Sequence, residues 1–304
     1  MRDSSASWIV EVLERLRGYA GKDSMVEFNE YCAEIHDRIR PVTYYTGTMP
    51  ILDGLSAGFQ EGEQVIIGGA TNEGKTLLIL SLIDAFEKQG LVSAFFSFEQ
   101  TVEQIAEKFN YEPPAFYVPR RIDYEVKYDP FIEKLKRNSQ TFLGSLPSAQ
   151  LQWIYLKLLE MTANGRRPNV IFIDYLHVLM GRGRENAVWA LGSVMIALKQ
   201  MALQLKLIVF IVCHTTKESL KQEEPNLGDL RDSGWIANAP DVVLLVWRVL
   251  DKHTKEPTDI SILKIAKHRR KGKAKNRKIE LVMNDRGLLE ELGHKEGFNA
   301  ASSY

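Results

Sequence analysis

The sequence has only two cysteines, Cys32 and Cys213, far apart and outside any CxxC pattern. That spacing gives no disulfide framework and points to reduced, buried thiols and a cytoplasmic compartment. Six scattered histidines form no HExxH or comparable metal spacing. Net charge is missing too: 39 basic residues balance 39 acidic ones, which excludes a histone-like coat of positive charge but leaves room for a local basic groove. Apolar runs such as "LIVFIVC" (207–213) are too short to cross a bilayer. The opening "MRDSSASWIV" lacks the basic and apolar regions of a secretory signal. There is no internal repeat and no low-complexity tract. What is present, 304 residues with 45% apolar and 26% charged side chains, is enough for one large or two modest globular domains.

Periodicity divides the chain. Residues 1–43 read as a helical arm: "SWIVEVLERLR" (7–17) spaces Ile9, Val12, Leu13 and Leu16 along one helix face, and a second amphipathic helix covers 26–38 before Pro41. Two such helices cannot enclose a core, so they are expected to dock on something else or back on their own chain. From Tyr44 the pattern becomes short β-branched runs: "EQVIIGG", "LVSAFFSF", "PNVIFIDYL", "KLIVFIVCH", "DVVLLVWR", "DISILKIAKH" and "RKIELVMN". Most are continuously apolar and the early ones alternate with helices, which predicts an α/β fold over 44–291 with a mostly parallel, twisted sheet. Short polar turns between the last runs predict an antiparallel hairpin at one edge. Residues 113–129 are the least regular stretch, and 292–304 read as a flexible tail.

The strongest chemical signal is "GATNEGKT", residues 69–76, a full GxxxxGK[ST] match between a strand and an apolar helix. Gly69, Ala70, Thr71, Asn72, Glu73 and Gly74 supply backbone N–H groups for phosphate oxygens at a helix N-terminus. Lys75 neutralises β/γ charge and the Thr76 hydroxyl can ligate Mg²⁺. Glu73 is unusual here, because its carboxylate must point away from a triphosphate. Asp174 ends the apolar strand "NVIFID", where a carboxylate can hold Mg²⁺ through water. Glu99 ends the strand after the phosphate-loop helix, a position for activating the attacking water or, alternatively, for a surface cap on the next helix. His214 ends another strand on the same side and is either a γ-phosphate sensor or a core histidine satisfied by backbone. Finally, "KIAKHRRKGKAKNRK" (264–278) places nine Lys or Arg in fifteen residues, read either as a solvated loop or as cations aimed at a specific charge.

Taken in order, the phosphate loop, "FSFEQ", "IDYL", "DLRDSGWIANAPDVVLLVWR" and "IAKHRR" resemble the RecA-like motor domain of DnaB-family hexameric replicative helicases, over about residues 46–291. The resemblance implies an ATP-dependent, Mg²⁺-using helicase that translocates on single-stranded DNA, 5′ to 3′, as a homohexameric ring in a bacterial or phage-infected cell, with a primase or a loader as further partners and no membrane. It implies that Glu99 is the catalytic base and that Arg231, Asp232 and Gly234 hold the DNA backbone in the channel. Lys267 and Arg269 would reach ATP bound by the adjacent subunit. Asp232 is shorter than the glutamate usual in the family, and His214 stands where glutamine is common. The family's helical N-terminal domain is missing, as in a minimal phage- or plasmid-type motor or a form lacking that domain. The helix at 7–17 resembles the linker helix that ties subunits together. Two rivals remain: a RecA/RadA-type recombination ATPase that forms filaments, and a non-motor ATP-dependent DNA-binding or regulatory protein.

Overall fold

The computed structural model describes residues 14, 17, 41–109, 112–119, 146–180, 187–216, 224–230, 233–251, 253–254 and 256–292. The chain divides into two compact units, Met1–Pro41 and Val42–Tyr304. In the first, Glu14 is helical and the Arg17 N–H donates to its carbonyl at 3.3 Å. The remainder of the two expected N-terminal helices, Cys32, residues 120–129 and the tail from 293 lie outside the described residues.

The second unit is built on an eight-stranded sheet ordered β10-β9-β8-β7-β3-β6-β5-β4. The strands are β3 (Gln64–Gly69), β4 (Ser93–Ser97), β5 (Val170–Asp174), β6 (Ile208–His214), β7 (Val242–Leu250), β8 (Pro257–His268), β9 (Arg277–Met283) and β10 (Leu289–Glu291). Strands β4, β5, β6, β3 and β7 are parallel; β8, β9 and β10 follow antiparallel. All seven runs expected as strands are strands. The antiparallel end is larger than a single hairpin, because "GLLEE" adds β10 to the edge. A separate two-stranded ribbon pairs β1 (Thr43–Tyr44) with β2 (Phe59–Gln60).

The parallel strands are continuously apolar because both faces are covered. On one face Val65, Ile67, Phe172, Phe210 and Leu244 pack with helices α1 (Pro50–Ser56) and α2 (Lys75–Lys88). There Phe172 and Phe210 stack at 4.9 Å between centroids, and Phe59 meets Phe210 edge-on at 5.1 Å. On the other face Ile66, Phe96, Ile173, Ile211 and Val243 pack with α4 (Ala149–Ala163), α5 (Ala187–Leu205) and α6 (Ser233–Asn238). Between β4 and α4 comes the short α3 (Val102–Ala106). One stretch of α5, Val188–Leu205, is long and apolar enough to cross a membrane by length and composition, although no uninterrupted apolar run marks it in the sequence. Its Leu191, Val194, Met195, Leu198 and Met201 are buried against the sheet.

Candidate functional site: a phosphate loop framed by strand ends

The C-terminal ends of the parallel strands converge on the turn between β3 and α2. Gly69 leaves β3 against β7 so closely that a Cβ there would lie 2.5 Å from the Val246 carbonyl oxygen, and only glycine permits the approach. Asn72 and Gly74 take positive φ (66° and 88°), curling the loop so that α2 begins at Lys75. The Glu73 carboxylate accepts the Arg248 N–H of β7 at 2.5 Å. The acid in the loop is therefore a strut to the sheet and points away from the cradle.

Lys75 is nearly buried, its Nζ donating to the Ala70 carbonyl at 2.6 Å. Burial lowers its pKa, against the opposing influence of Asp174, Glu99 and Glu73. Asp174 ends β5, and its peptide bond to Tyr175 is cis. The Thr76 hydroxyl donates to Asp174 Oδ2 at 3.2 Å, while Oδ1 is buried without a hydrogen-bond partner. Burial, and secondarily the nearby charge of Glu99, push this carboxyl up from 3.8 to about 6. For both groups desolvation outweighs their mutual attraction. The pair is held ready for further charge, a cation at Asp174 and an anion at Lys75. An orphaned carboxylate oxygen beside a threonine hydroxyl fits Mg²⁺, which takes one or two protein oxygens and completes its shell with phosphates and water. Among the described residues no cluster of His, Cys, Asp and Glu could hold a metal by itself.

Glu99 is presented by a turn after β4. Ser97 Oγ donates to the Gln100 carbonyl and accepts the Gln100 N–H, and Thr101 starts α3 with a capping box to Gln104. The Phe98 N–H donates to the Asp174 carbonyl at 2.6 Å, tying this turn to the end of β5. Across β5, His214 ends β6 with its Nε2 3.7 Å from Glu99 Oε2 and its ring edge-on to Tyr175 at 5.3 Å. The Thr215 N–H donates to the Gly69 carbonyl, fixing this strand end to the phosphate loop. Thr71, Asn72, Gly74, Lys75, Thr76, Glu99 and His214 line one cleft of about 260 Å³, shared with Lys108, Arg248, Asp259 and Met283. None of these four belongs to a motif: Lys108 follows α3 close to Glu99 in sequence, while Arg248, Asp259 and Met283 are brought in by the pairing of β7, β8 and β9.

The other expected residues lie elsewhere. Strand β8 runs antiparallel to β7, with His268 opposite Val242 and Lys264 opposite Leu245. Lys267 and Arg269 therefore stand at the N-terminal edge of the parallel strands, roughly four residues or about 13 Å of strand from the level of the phosphate loop. Arg231 and Asp232 lie outside the described residues; Gly234 is exposed in the first turn of α6. Five cations of the basic run are engaged: Lys264 and Lys278 both hold Glu224, Arg270 holds Glu63 at 2.8 Å, Arg269 holds Asp241, and Lys267 caps α6. Lys271, Lys273, Lys275 and Arg277 are exposed.

A strand, a glycine-bearing phosphate loop, a helix opening with Lys-Thr and a strand ending in a buried Asp define a P-loop nucleotide-binding domain. Residues 46–286 match the family model for the DnaB-like helicase C-terminal domain, and the chain belongs to that family. It is 28% identical over 235 residues to a probable replicative DNA helicase of Trieres chinensis (72% of this chain, 51% of that one). It is 25% identical over 276 residues to the replicative DNA helicase DnaC of Bacillus subtilis (86% and 60%). The chain thus spans little more than half the length of these relatives. Among solved structures it resembles a DnaB-like replicative helicase described with its primase interactions, with a TM-score of 0.63 at 17% identity, covering 94% of this chain and 71% of that one. A second solved structure, described as an ATPase domain, superposes with a TM-score of 0.61 at 17% identity over 96% of this chain and 100% of that one. The fold is that of RecA-like ATPase domains.

Proposed function

We propose that this chain is the motor of an ATP-driven helicase that translocates on single-stranded DNA as a homohexameric ring, 5′ to 3′, during replication. The observation that carries this reading is the division of the chemistry between two edges of one sheet. Lys75, Asp174, Glu99 and His214 gather at one edge, while Lys267 and Arg269 are presented at the other, too far to serve the same nucleotide. Each chain then supplies half of one site and half of the next. The family membership and the relatives named replicative helicases support the activity, and the neighbour described with primase supports a primase as partner.

In this reading Lys75 and the backbone N–H groups of residues 69–76 hold the β- and γ-phosphates. Thr76 and Asp174 hold Mg²⁺, which when bound neutralises charge on the same phosphates. Glu99 takes the proton of the water that attacks the γ-phosphate. Its exposed position beside the cleft leaves it reachable. His214, beside Glu99 at the end of β6, registers whether the γ-phosphate is present and relays it to the residues that follow. Arg269, with Lys267, comes from the neighbouring chain, a contribution of about 10³–10⁵ in rate for fingers of this kind. Arg231, Asp232 and Gly234 hold the DNA backbone.

Mixing inactive chains tests the division. Lys75→Ala and Arg269→Ala are each expected to be inactive, yet a mixture regains part of the ATPase activity, because some interfaces pair an intact Lys75 with an intact Arg269. A mixture as inactive as its components, with subunit exchange verified by labelled chains, refutes the shared site. Displacement from forks with a 5′ or a 3′ tail tests the polarity.

A further inference from the structure

Lys267 and Arg269 are already occupied within their own chain. The last carbonyls of any helix lack intrahelical partners, and at the end of α6 these two side chains take them. Lys267 Nζ donates to the carbonyls of Ala237 (2.9 Å) and Asn238 (2.7 Å). Arg269 Nη2 lies 3.4 Å from the Asn238 oxygen and 3.3 Å from that of Ala239, and its Nη1 donates to Asp241 Oδ1 at 3.0 Å. Helix α6 cannot drift from this position easily. Ile236 is fully buried, and Trp235 lies so close to Gly192 of α5 that a Cβ there would come within 2.6 Å of the indole.

Asp241 is the anchor. It is 6% exposed, and its two oxygens are divided between elements. Oδ2 accepts from the Gln64 N–H at the start of β3 (2.9 Å) and from Lys199 Nζ of α5 (2.6 Å); Oδ1 is left for Arg269, whose side chain is 56% exposed. One buried carboxylate thus serves two cations, one of them reaching into solvent. A hold of that kind on a largely exposed guanidinium is modest. A nucleotide's phosphates offer it more charge and a bidentate geometry.

We propose that Asp241 is a positioning residue for Arg269, and that Asp241 with the α6 carbonyls forms a seat that Arg269 and Lys267 vacate to engage the nucleotide of the neighbouring chain. This rests on the shared-site reading above. The seat and the neighbour's nucleotide compete for the same two cations, so the strength of the seat sets how tightly the assembled protein binds nucleotide. Lys199 tunes that strength, because it draws on the same carboxylate.

The two partners of the carboxylate make the test directional. In the assembled full-length chain, Asp241→Asn weakens the seat and is expected to tighten binding of a non-hydrolysable ATP analogue by roughly two- to fivefold. Lys199→Met leaves Arg269, among the described residues, as the remaining side-chain cation on Asp241, strengthens the seat, and is expected to weaken analogue binding by a similar factor. A purely structural role for Asp241 moves both variants in one direction, and that result, or no change in either folded variant, overturns the proposal. Arg269→Ala in the same preparation separates the levels. Near wild-type turnover in it removes the shared-site reading and the seat together, whereas lost turnover without opposite shifts in the other two variants removes the seat alone. Because both variants disturb a buried carboxylate, hydrogen exchange on the wild-type protein gives an independent measurement. Adding the analogue should speed exchange of the amides in 233–240 as the caps of α6 depart, and unchanged exchange there refutes the seat.

Discussion

Replacing Asp174 by asparagine removes a charge that burial disfavours while keeping the shape of the side chain and its ability to accept from Thr76. The wild-type carboxyl is 1% exposed, one of its oxygens has no hydrogen-bond partner, and its pKa is raised from 3.8 to about 6. A carboxyl whose pKa is higher in the folded state contributes stability below pH 4 that is lost as pH rises through 6. A rise of about two units corresponds to about 3 kcal/mol at most, with roughly half of that loss reached by pH 5. Nucleotide-free Asp174→Asn should therefore be more stable than wild type by about 2–3 kcal/mol at pH 8, by about half as much at pH 5, and by nothing below pH 4. Guanidinium unfolding at these pH values measures the difference. The same variant should lose Mg²⁺-dependent nucleotide binding, since stability gained at a strained site commonly costs function. A variant less stable than wild type at pH 8, or a difference independent of pH, would show that the buried carboxylate is stabilised in its charged form by its surroundings.

Three further outcomes are expected. Glu99→Gln should bind nucleotide and DNA like wild type yet scarcely hydrolyse ATP, and single-turnover hydrolysis near the wild-type rate would place the base elsewhere. Arg231→Ala should weaken single-strand binding about equally for all sequences and reduce the salt slope by about 1, as loss of one phosphate contact does; an effect confined to one sequence would argue for base reading. Gly69→Ala should destabilise the domain by about 1–3 kcal/mol, because its Cβ would meet the Val246 carbonyl at 2.5 Å, and an unchanged denaturation midpoint would mean that β7 yields more readily than the packing implies.

Local sequence was enough where chemistry and chain direction coincide. Asp174 and His214 end strands, the phosphate loop and Glu99 follow directly on strands, and parallel strands deliver their ends to one edge, so their meeting follows from the α/β pattern. Even the oddity of Glu73 was legible as a constraint, although its partner, the Arg248 N–H, lies 175 residues away. The short β1, β2 and β10 escaped because two or three residues carry no usable periodicity. The basic run shows the limit best. Its composition marks it as special, but Glu63, Glu224 and Asp241 reach it across 28 to 207 residues. Nothing near Arg269 in sequence says that a buried acid holds it. Likewise the raised pKa of Asp174 depends on how completely the surrounding strands exclude water, which no motif encodes.

The reversal of direction at β8 has a consequence for counting. In the proposed reading a chain carries a phosphate-loop half-site at one sheet edge and a cation half-site at the other, and neither is complete alone. A linear run of chains then holds one fewer complete site than it has members, and only closure gives every chain a working partner. Turnover per chain should rise with protein concentration as assemblies lengthen and reach its ceiling at ring closure. The antiparallel strand thereby makes the hydrolysis rate a gauge of assembly.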